Sequence, residues 1–378
     1  MEILIGKNLA FQPKTIYLVG IITGILGFLV IYVFALLLKK YVESKKINLA
    51  LNYELLKIEL PKYYFQTQET KIKVVEEINN FENFINSLTK FKLPVIFEVA
   101  MPFLAEEILF YVAVPRKYGE AVRRNIKSFW PGAEVTVCPE DYNIFNPHGV
   151  ALASYLTLKT HYFKPLKTYR EIALGNVDTL DNFLGAFNKL KKETEGLAYQ
   201  LIIKPLPTKE NKKAFKTIEE LKKGKKFEEA LGGFGQELAK SFQKKDEEKE
   251  KLLREPKIVD EILVKNIEAK VTKPLFTVNI RLCVSAQDVF DADELLTSIE
   301  SAFHQFVNPG LNELIIHRAK GRALNNLIYE FSFRLFNKGQ KIILNSEEIA
   351  SLFHFPTSYS KSPLIHWLSA KTAPPPPN

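Results

Sequence analysis

Cysteine, methionine and tryptophan each occur only twice in this sequence, and its six histidines are scattered. Two cysteines, Cys138 and Cys283, cannot build a disulfide framework or a zinc cluster, and neither sits in a nucleophile motif. His148, His161, His304, His317, His354 and His366 form no HExxH and no i, i+4 pair with a carboxylate partner. Each therefore reads as a structural or surface histidine rather than a ligand. A phosphate-binding loop is missing too. The nearest approach is GGFGQELAKS at 232–241, where Phe234 and Ala239 replace the first and last glycine and a charged helical pattern precedes; it reads as a helix break. Asp288, Asp291, Asp293 and Glu294 lack the spacing of a calcium loop and suit the first turn of a helix, where the macrodipole favours acids. The chain is expected to hold no metal and no cofactor, and no catalytic residue is assigned.

What is present is ordinary in amount and uneven in placement. Charged residues are 25% and apolar residues 46% of 378, a globular composition that excludes a wholly disordered chain. At about 150 residues per domain the length suggests two or three domains. The mean hydropathy of -0.07 excludes a polytopic membrane protein but leaves room for one span. Thr15 to Leu38 is a run of 24 residues without a charge, and a spanning helix needs ~20 mainly apolar residues. A signal peptide would have an apolar stretch of only about 7–15 residues ending in small ones, whereas this run ends Leu-Leu-Leu-Lys-Lys. A buried core helix would show a polar face, and none is present. The run reads as an uncleaved anchor.

The flanks set a direction. KKYVESKK at 39–46 has four lysines and one glutamate, against Glu2, Lys7 and Lys14 on the other side. The positive-inside rule places residues 39–378 in the cytoplasm and the N-terminus outside, a reducing setting that suits unpaired cysteines. Lys39, Lys40, Lys45 and Lys46 are the candidate contacts to anionic lipid. Gly20 and Gly24 form a GxxxG pair with Gly27 one turn on, the pattern of close helix packing, which leaves homo-oligomerisation open.

Beyond the anchor two similar patterns follow. NYELLKIEL (52–60) has a strand period, and Val75, Ile78, Phe81, Ile85 and Leu88 form the apolar stripe of a helix within 71–90. VIFEVAM (95–101) and ILFYVAV (108–114) read as an antiparallel hairpin. Tyr118 to Trp130 is helical up to Pro131-Gly132, and EVTVC (134–138) is a last strand. This strand–helix–strand–strand–helix–strand order is that of a ferredoxin-like βαββαβ module. The order recurs with a strand at 150–160, a helix at 179–192, strands at 198–206 and 275–286, a helix at 291–306 and a strand at 311–318.

The second pattern is interrupted by 209–257, which holds 15 basic and 11 acidic residues for a net +4. It reads as a pair of solvated helices broken at Gly232, Gly233 and Gly235, with a protein-docking arm as the functional alternative. Residues 319–367 hold a helix or strand around Leu324–Phe336 and a short helix capped by Asn345 or Ser346. The sequence ends KTAPPPPN, a stiff extended segment. The expected architecture is α+β: anchor and basic segment 1–47, modules at 48–146 and 147–318 with a charged insert at 208–257, an α/β segment at 319–367 and a proline-rich tail at 368–378.

The formal charge of +9 raises a nucleic-acid reading. The juxtamembrane segment carries +3 of it and the insert +4, mixed with acids. Phe97, Phe110 and Tyr111 lie on strands, but the RNP1 pattern of an RNA-recognition sheet is missing, so core packing is the favoured role of those rings.

Several segments together resemble the N-terminal region of a bacterial family of membrane-anchored ATPases related to type IV secretion and conjugative DNA-transfer ATPases. They are LLKIELPK (55–62), EEILFYVAVPRKY (106–118), AEVTVCPEDY (133–142), DTLDNFLGAFNKL (178–190), YQLIIKPL (199–206), FTVNIRLCVSA (276–286), SIESAFHQF (298–306), KIILNSEEIASLFHFPT (341–357) and IHWLSAKTAPPPPN (365–378). In that family this region is a non-catalytic platform, and the proline-rich segment leads into a RecA-like motor. The present sequence stops at Asn378 without a motor, so no ATPase residue is carried over. The resemblance implies a single-pass platform at the bacterial inner membrane that positions a motor ATPase, supplied in trans or in a longer form. A membrane-tethered nucleic-acid-binding protein is the alternative.

Overall fold

The computed structural model describes residues 13–62, 74–173, 177–207, 209–232 and 260–368, and the chain divides into two compact units, Met1–Leu51 and Asn52–Asn378. The first contains one helix, α1 (Pro13–Ala50). Its stretch Gly20–Leu38 has a mean hydropathy of 2.8 and no buried residue. At about 1.5 Å per residue these positions make an apolar cylinder about 28 Å long, close to the ~30 Å hydrocarbon core of a bilayer. By length and composition, α1 can cross a membrane.

The second unit is a mixed α+β body on one antiparallel sheet. Its strands are β1 (Tyr53–Glu59), β2 (Val95–Met101), β3 (Leu109–Pro115), β4 (Glu134–Cys138), β5 (Val150–Leu158), β6 (Gly196–Pro205), β7 (Leu275–Ala286), β8 (Leu314–Arg318) and β9 (Ile342–Asn345). Eight lie in the order β4-β1-β3-β2-β6-β7-β5-β8, and β9 pairs with the start of β7. The two halves of the sheet meet at β2 and β6, which pair from Val95↔Ile203 to Met101↔Leu197. Each of these strands would otherwise be an open edge of its half, so the pairing satisfies two rows of main-chain groups at once.

One face of the sheet carries the larger helical layer: α2 (Val74–Ser87), α3 (Arg116–Phe129), α5 (Asp181–Phe187), α9 (Val289–Ser301) and α11 (Ser346–Leu352), with the short α4 (Tyr169–Ile172) beside them. Alternate strand residues such as Phe97, Leu201, Ile280 and Leu282 point into this layer. The stripe on α2 meets them, with Ile78, Phe81, Phe84 and Ile85 buried. Phe81 lies 5.5 Å from Phe97, 6.0 Å from Phe353 and 5.2 Å from Phe355, tilted or edge-on in each case, the arrangement ring quadrupoles favour. Phe97, Phe110 and Tyr111 are all buried.

The opposite face is covered as well, by α10 (Arg322–Ser332) and the segment 139–146. Leu327 and Phe331 of α10 pack on Ile96, Ala113, Ala198, Ile202 and Cys283. Small strand residues let this second layer approach. A third core forms where α6 (Lys209–Lys222), α7 (Phe227–Ala230) and α8 (Glu261–Val271) meet Phe163: Ala214, Ile218, Leu221, Phe227, Val264 and Ile267 are buried together.

Several details depart from the sequence reading. The helix expected at 179–192 ends at Phe187, and Leu190 reaches the core from a turn braced by Glu195, whose carboxylate accepts from Lys191 N at 2.8 Å. The described part of the insert is not solvated all round, because its apolar residues pack on α8, a helix the reading passed over. β9 is a separate strand within the last α/β segment. Gly233, Gly235, most of GGFGQELAKS and the four prolines of the tail lie outside the described residues.

Candidate functional site

The helix-packing residues Gly20, Gly24 and Gly27 share one face of α1, at i, i+4 and i+7. A Cβ added at any of them meets nothing within 4 Å. Lys40 is exposed, whereas the side chains of Lys39, Lys45 and Lys46 lie outside the described part.

In the second unit the polar chemistry concentrates in places the alternation of apolar residues had hidden. Strand register aligns Thr136, Lys57, Tyr111, Glu98, Gln200, Arg281, Tyr155 and His317 in a single row across eight strands. Its centre is buried under α10. Gln200 Nε2 donates to Glu98 Oε1 at 2.7 Å, and Arg281 donates to Gln200 Oε1 at 3.2 Å. Arg281 also donates to the carbonyls of Glu330 and Leu335, at 3.0 and 2.7 Å. Burial pulls the Arg281 guanidinium down to about 10, against the pull of Glu330.

Arg334 completes this clamp. It follows α10 with φ +52, a left-handed conformation rare in residues other than glycine. Its N–H bonds Phe331 O and the next N–H, of Leu335, bonds Glu330 O, which is the Schellman closure of a helix. The side chain explains an arginine there. It donates to Glu98 at 2.9–3.1 Å and to Asp141 at 2.6 and 2.8 Å. Burial opposes its charge, but Glu98 and Asp141 outweigh it and hold the pKa well above the usual arginine value. Carboxylate, amide and guanidinium are committed to each other and to backbone, an arrangement that fixes α10 and the 139–146 segment on the sheet.

A second cluster ties the larger helical layer together. Lys270 of α8 and Glu348 of α11 form a fully buried pair at 2.9 Å. Asn345 and Glu348 make a capping box, which confirms the cap expected from sequence. Nearby, Lys273 bonds Glu82 of α2 at 2.6 Å and also Glu347, while Arg170 reaches Glu82 at 3.2 Å.

A third group superficially resembles a hydrolase triad. His354 Nε2 lies 3.0 Å from Asp178 Oδ1 and 3.2 Å from Thr179 Oγ1. However, Thr179 donates its own proton to Ser351 O at 3.0 Å, so its oxygen can only accept from the imidazole. His354 Nδ1 faces Phe355 O at 2.8 Å. With acceptors on both nitrogens the ring is held as imidazolium: burial disfavours the charge, yet Asp178 prevails and raises its pKa, and Asp178 is lowered in turn. Thr357 and Ser360 bond the other Asp178 oxygen, at 2.5 and 3.0 Å. The group binds the chain after α11 to the start of α5. It has no open space for a substrate, since Asp178, Thr179 and His354 are all buried.

His148 and His304 are exposed, and the other three histidines have structural surroundings. His317 stacks on Tyr155, His161 packs among Tyr162, Phe163 and Phe227, and His366 lies between Glu59 and Glu107. Asp288 caps α9 by accepting from Asp291 N at 2.9 Å. Among the described residues no group of three or more His, Cys, Asp or Glu is placed to hold a metal ion. Burial pushes both the Cys138 and the Cys283 thiol up, which leaves them protonated. A groove of about 1030 Å³ opens between the end of β5, β9 and α6, where Lys213, Lys216, Lys225 and Lys341 stand with Glu220 and Glu229.

Comparison with known proteins adds a family and little else. A family model described as a domain of unknown function (DUF8128) matches residues 66–368. No curated protein matches the chain. Among solved structures, a novel heme-binding protein from Thermus thermophilus aligns at 9% identity over 73% of this chain and 94% of that one, with a TM-score of 0.17, too low to carry an argument.

Proposed function

The chain belongs to the DUF8128 family, and from that premise we propose that it is a single-pass, membrane-anchored platform of a machine of the type IV secretion or conjugative-transfer kind. It does no chemistry itself and positions a motor ATPase at the cytoplasmic face of the bacterial inner membrane. The observation that carries the proposal is the wholly exposed apolar stretch Gly20–Leu38, joined in one chain to a body whose buried polar clusters lock helices to a sheet. The segment resemblance supplies the machine. The two halves of the sheet support the finer reading of two ferredoxin-like modules, because β4-β1-β3-β2 and β8-β5-β7-β6 are the same order.

The alternative, nucleic-acid binding on the sheets or the charged insert, is less supported on the sheet, where Phe97, Phe110 and Tyr111 are buried under helical layers. Anchoring and direction are tested together in bacteria expressing the full chain. The protein should resist alkaline extraction from membranes, and a Lys127→Cys thiol should react with an impermeant maleimide only after the membrane is opened. Extraction into the wash, or labelling in intact spheroplasts, would sink the proposal.

A further inference from the structure

The sheet ends in two open edges. β4 pairs only with β1 and β8 only with β5 among the described residues. Exposed edges usually carry lysine, proline or a bulge as protection. EVTVC and LIIHR are short, their charges stand only at the ends (Glu134 and Arg318), they contain neither lysine nor proline, and five paired residues of each run in unbroken register. Seven successive antiparallel pairings separate β4 from β8, so the two strands run in opposite directions. A second copy added edge to edge would therefore extend the sheet with one more antiparallel pairing, β8 of one chain beside β4 of the next.

The helices nearest the two edges differ in charge: α3 packs over β3, β1 and β4, and α9 packs over β7 and β5 and reaches β8 through Arg318. α3 carries Arg116, Lys117, Arg123, Arg124 and Lys127 against one acid, Glu120. α9 carries Asp291, Asp293, Glu294 and Glu300 and no base. Asn125 bonds Ser87 at the end of α2, and Tyr118 stacks on Phe91. At about 100° per residue the flank with Arg116, Arg123 and Lys127 therefore turns away from α2 toward the β4 edge. Arg123 Nε is buried there without a partner, while its Nη2 pairs with Glu120 at 3.0 Å. On α9, Ser298 and Asp291 face the residues after α5 through Lys189 and Lys191. Asp293 and Glu300 turn the other way and are bound by Arg318 of β8.

From these features we infer that copies of this chain associate head to tail, joining β8 of one to β4 of the next, with the acidic α9 flank against the basic α3 flank. The polar row then runs on from one sheet to its neighbour, His317 beside Thr136. The contact uses two different surfaces, so it closes into a ring or propagates. The inference rests on edges and charges and does not depend on the motor.

Cross-linking in the full-length, detergent-solubilised protein tests it. In a Cys138→Ser background, chains bearing Thr136→Cys alone or His317→Cys alone are mixed and treated with a short bismaleimide. Dimers should form in the mixture and not in either variant by itself, and chains carrying both cysteines should give a ladder. Monomers throughout, or dimers of Thr136→Cys with itself, overturn the inference. Exposed charge reversals give a second reading that does not threaten the fold. Arg116→Glu with Lys127→Glu should lower the heterodimer yield at least tenfold, and a partner with Asp293→Lys should restore it. A yield that ignores these reversals, or follows Gly20→Leu instead, also overturns it.

Discussion

Replacing Arg334 by glycine sets two physical effects of opposite sign against each other. Glycine relieves the left-handed backbone at φ +52, a gain of about 1 kcal/mol. The substitution also strips Glu98 of three donor contacts at 2.9–3.1 Å and leaves a wholly buried carboxylate with Gln200 as its remaining side-chain donor. Removing one partner of a buried pair costs about 3–5 kcal/mol, so Arg334→Gly should destabilise by about 2–4 kcal/mol. Urea unfolding of the full chain in a mild detergent would measure this through Trp130, which sits within the aromatic core. Glu98→Gln added to Arg334→Gly should recover part of the loss, since no charge is then stranded. A neutral or stabilising Arg334→Gly would refute the clamp.

Four other outcomes follow from the same geometry. Because His354 is raised above its ordinary 6.5 and Asp178 lowered below 3.8, their contribution is complete between those values. It fades as pH rises through the folded-state value of His354 or falls through that of Asp178; melting curves of wild type and His354→Gln should converge on the alkaline side. Gly196→Ala places a Cβ 2.1 Å from the Ile144 carbonyl oxygen and should cost about 1–3 kcal/mol by overpacking. Gly119→Ala meets the Glu54 carboxylate first, the end of a flexible side chain that can swing aside, so its melting temperature should fall less than that of Gly196→Ala. Phe81→Ala, which empties the centre of the aromatic cluster, should cost about 3–5 kcal/mol in the same unfolding assay.

The strands and most helices were legible because their apolar residues keep one period over a whole element. β1 and α2 are clear examples. What alternation could not show is that the second face of the sheet is buried too. Glu98, Gln200 and Arg281 look like solvent-facing positions when a strand is read alone, and only register places them side by side. A signal was present nonetheless: Ala100, Ala198 and Cys283 on that face are small, and the amphipathic run beginning at Leu324 needed something to cover. The described part of the charged insert misled for a related reason, since its few apolar residues are spaced to meet α8. The His354–Asp178 pair joins residues far apart in sequence, and no local pattern announces it.

The central claim is that the chain holds a motor at the membrane. Full-length protein, tagged and solubilised from its native membranes in mild detergent, should elute with ATP hydrolysis that is lost when the preparation is made from cells lacking the tagged chain. A nucleotide-binding ATPase should be identifiable in that eluate by mass spectrometry. An eluate with no hydrolysis and no nucleotide-binding partner, from a protein shown to be folded and membrane-inserted, would contradict the account.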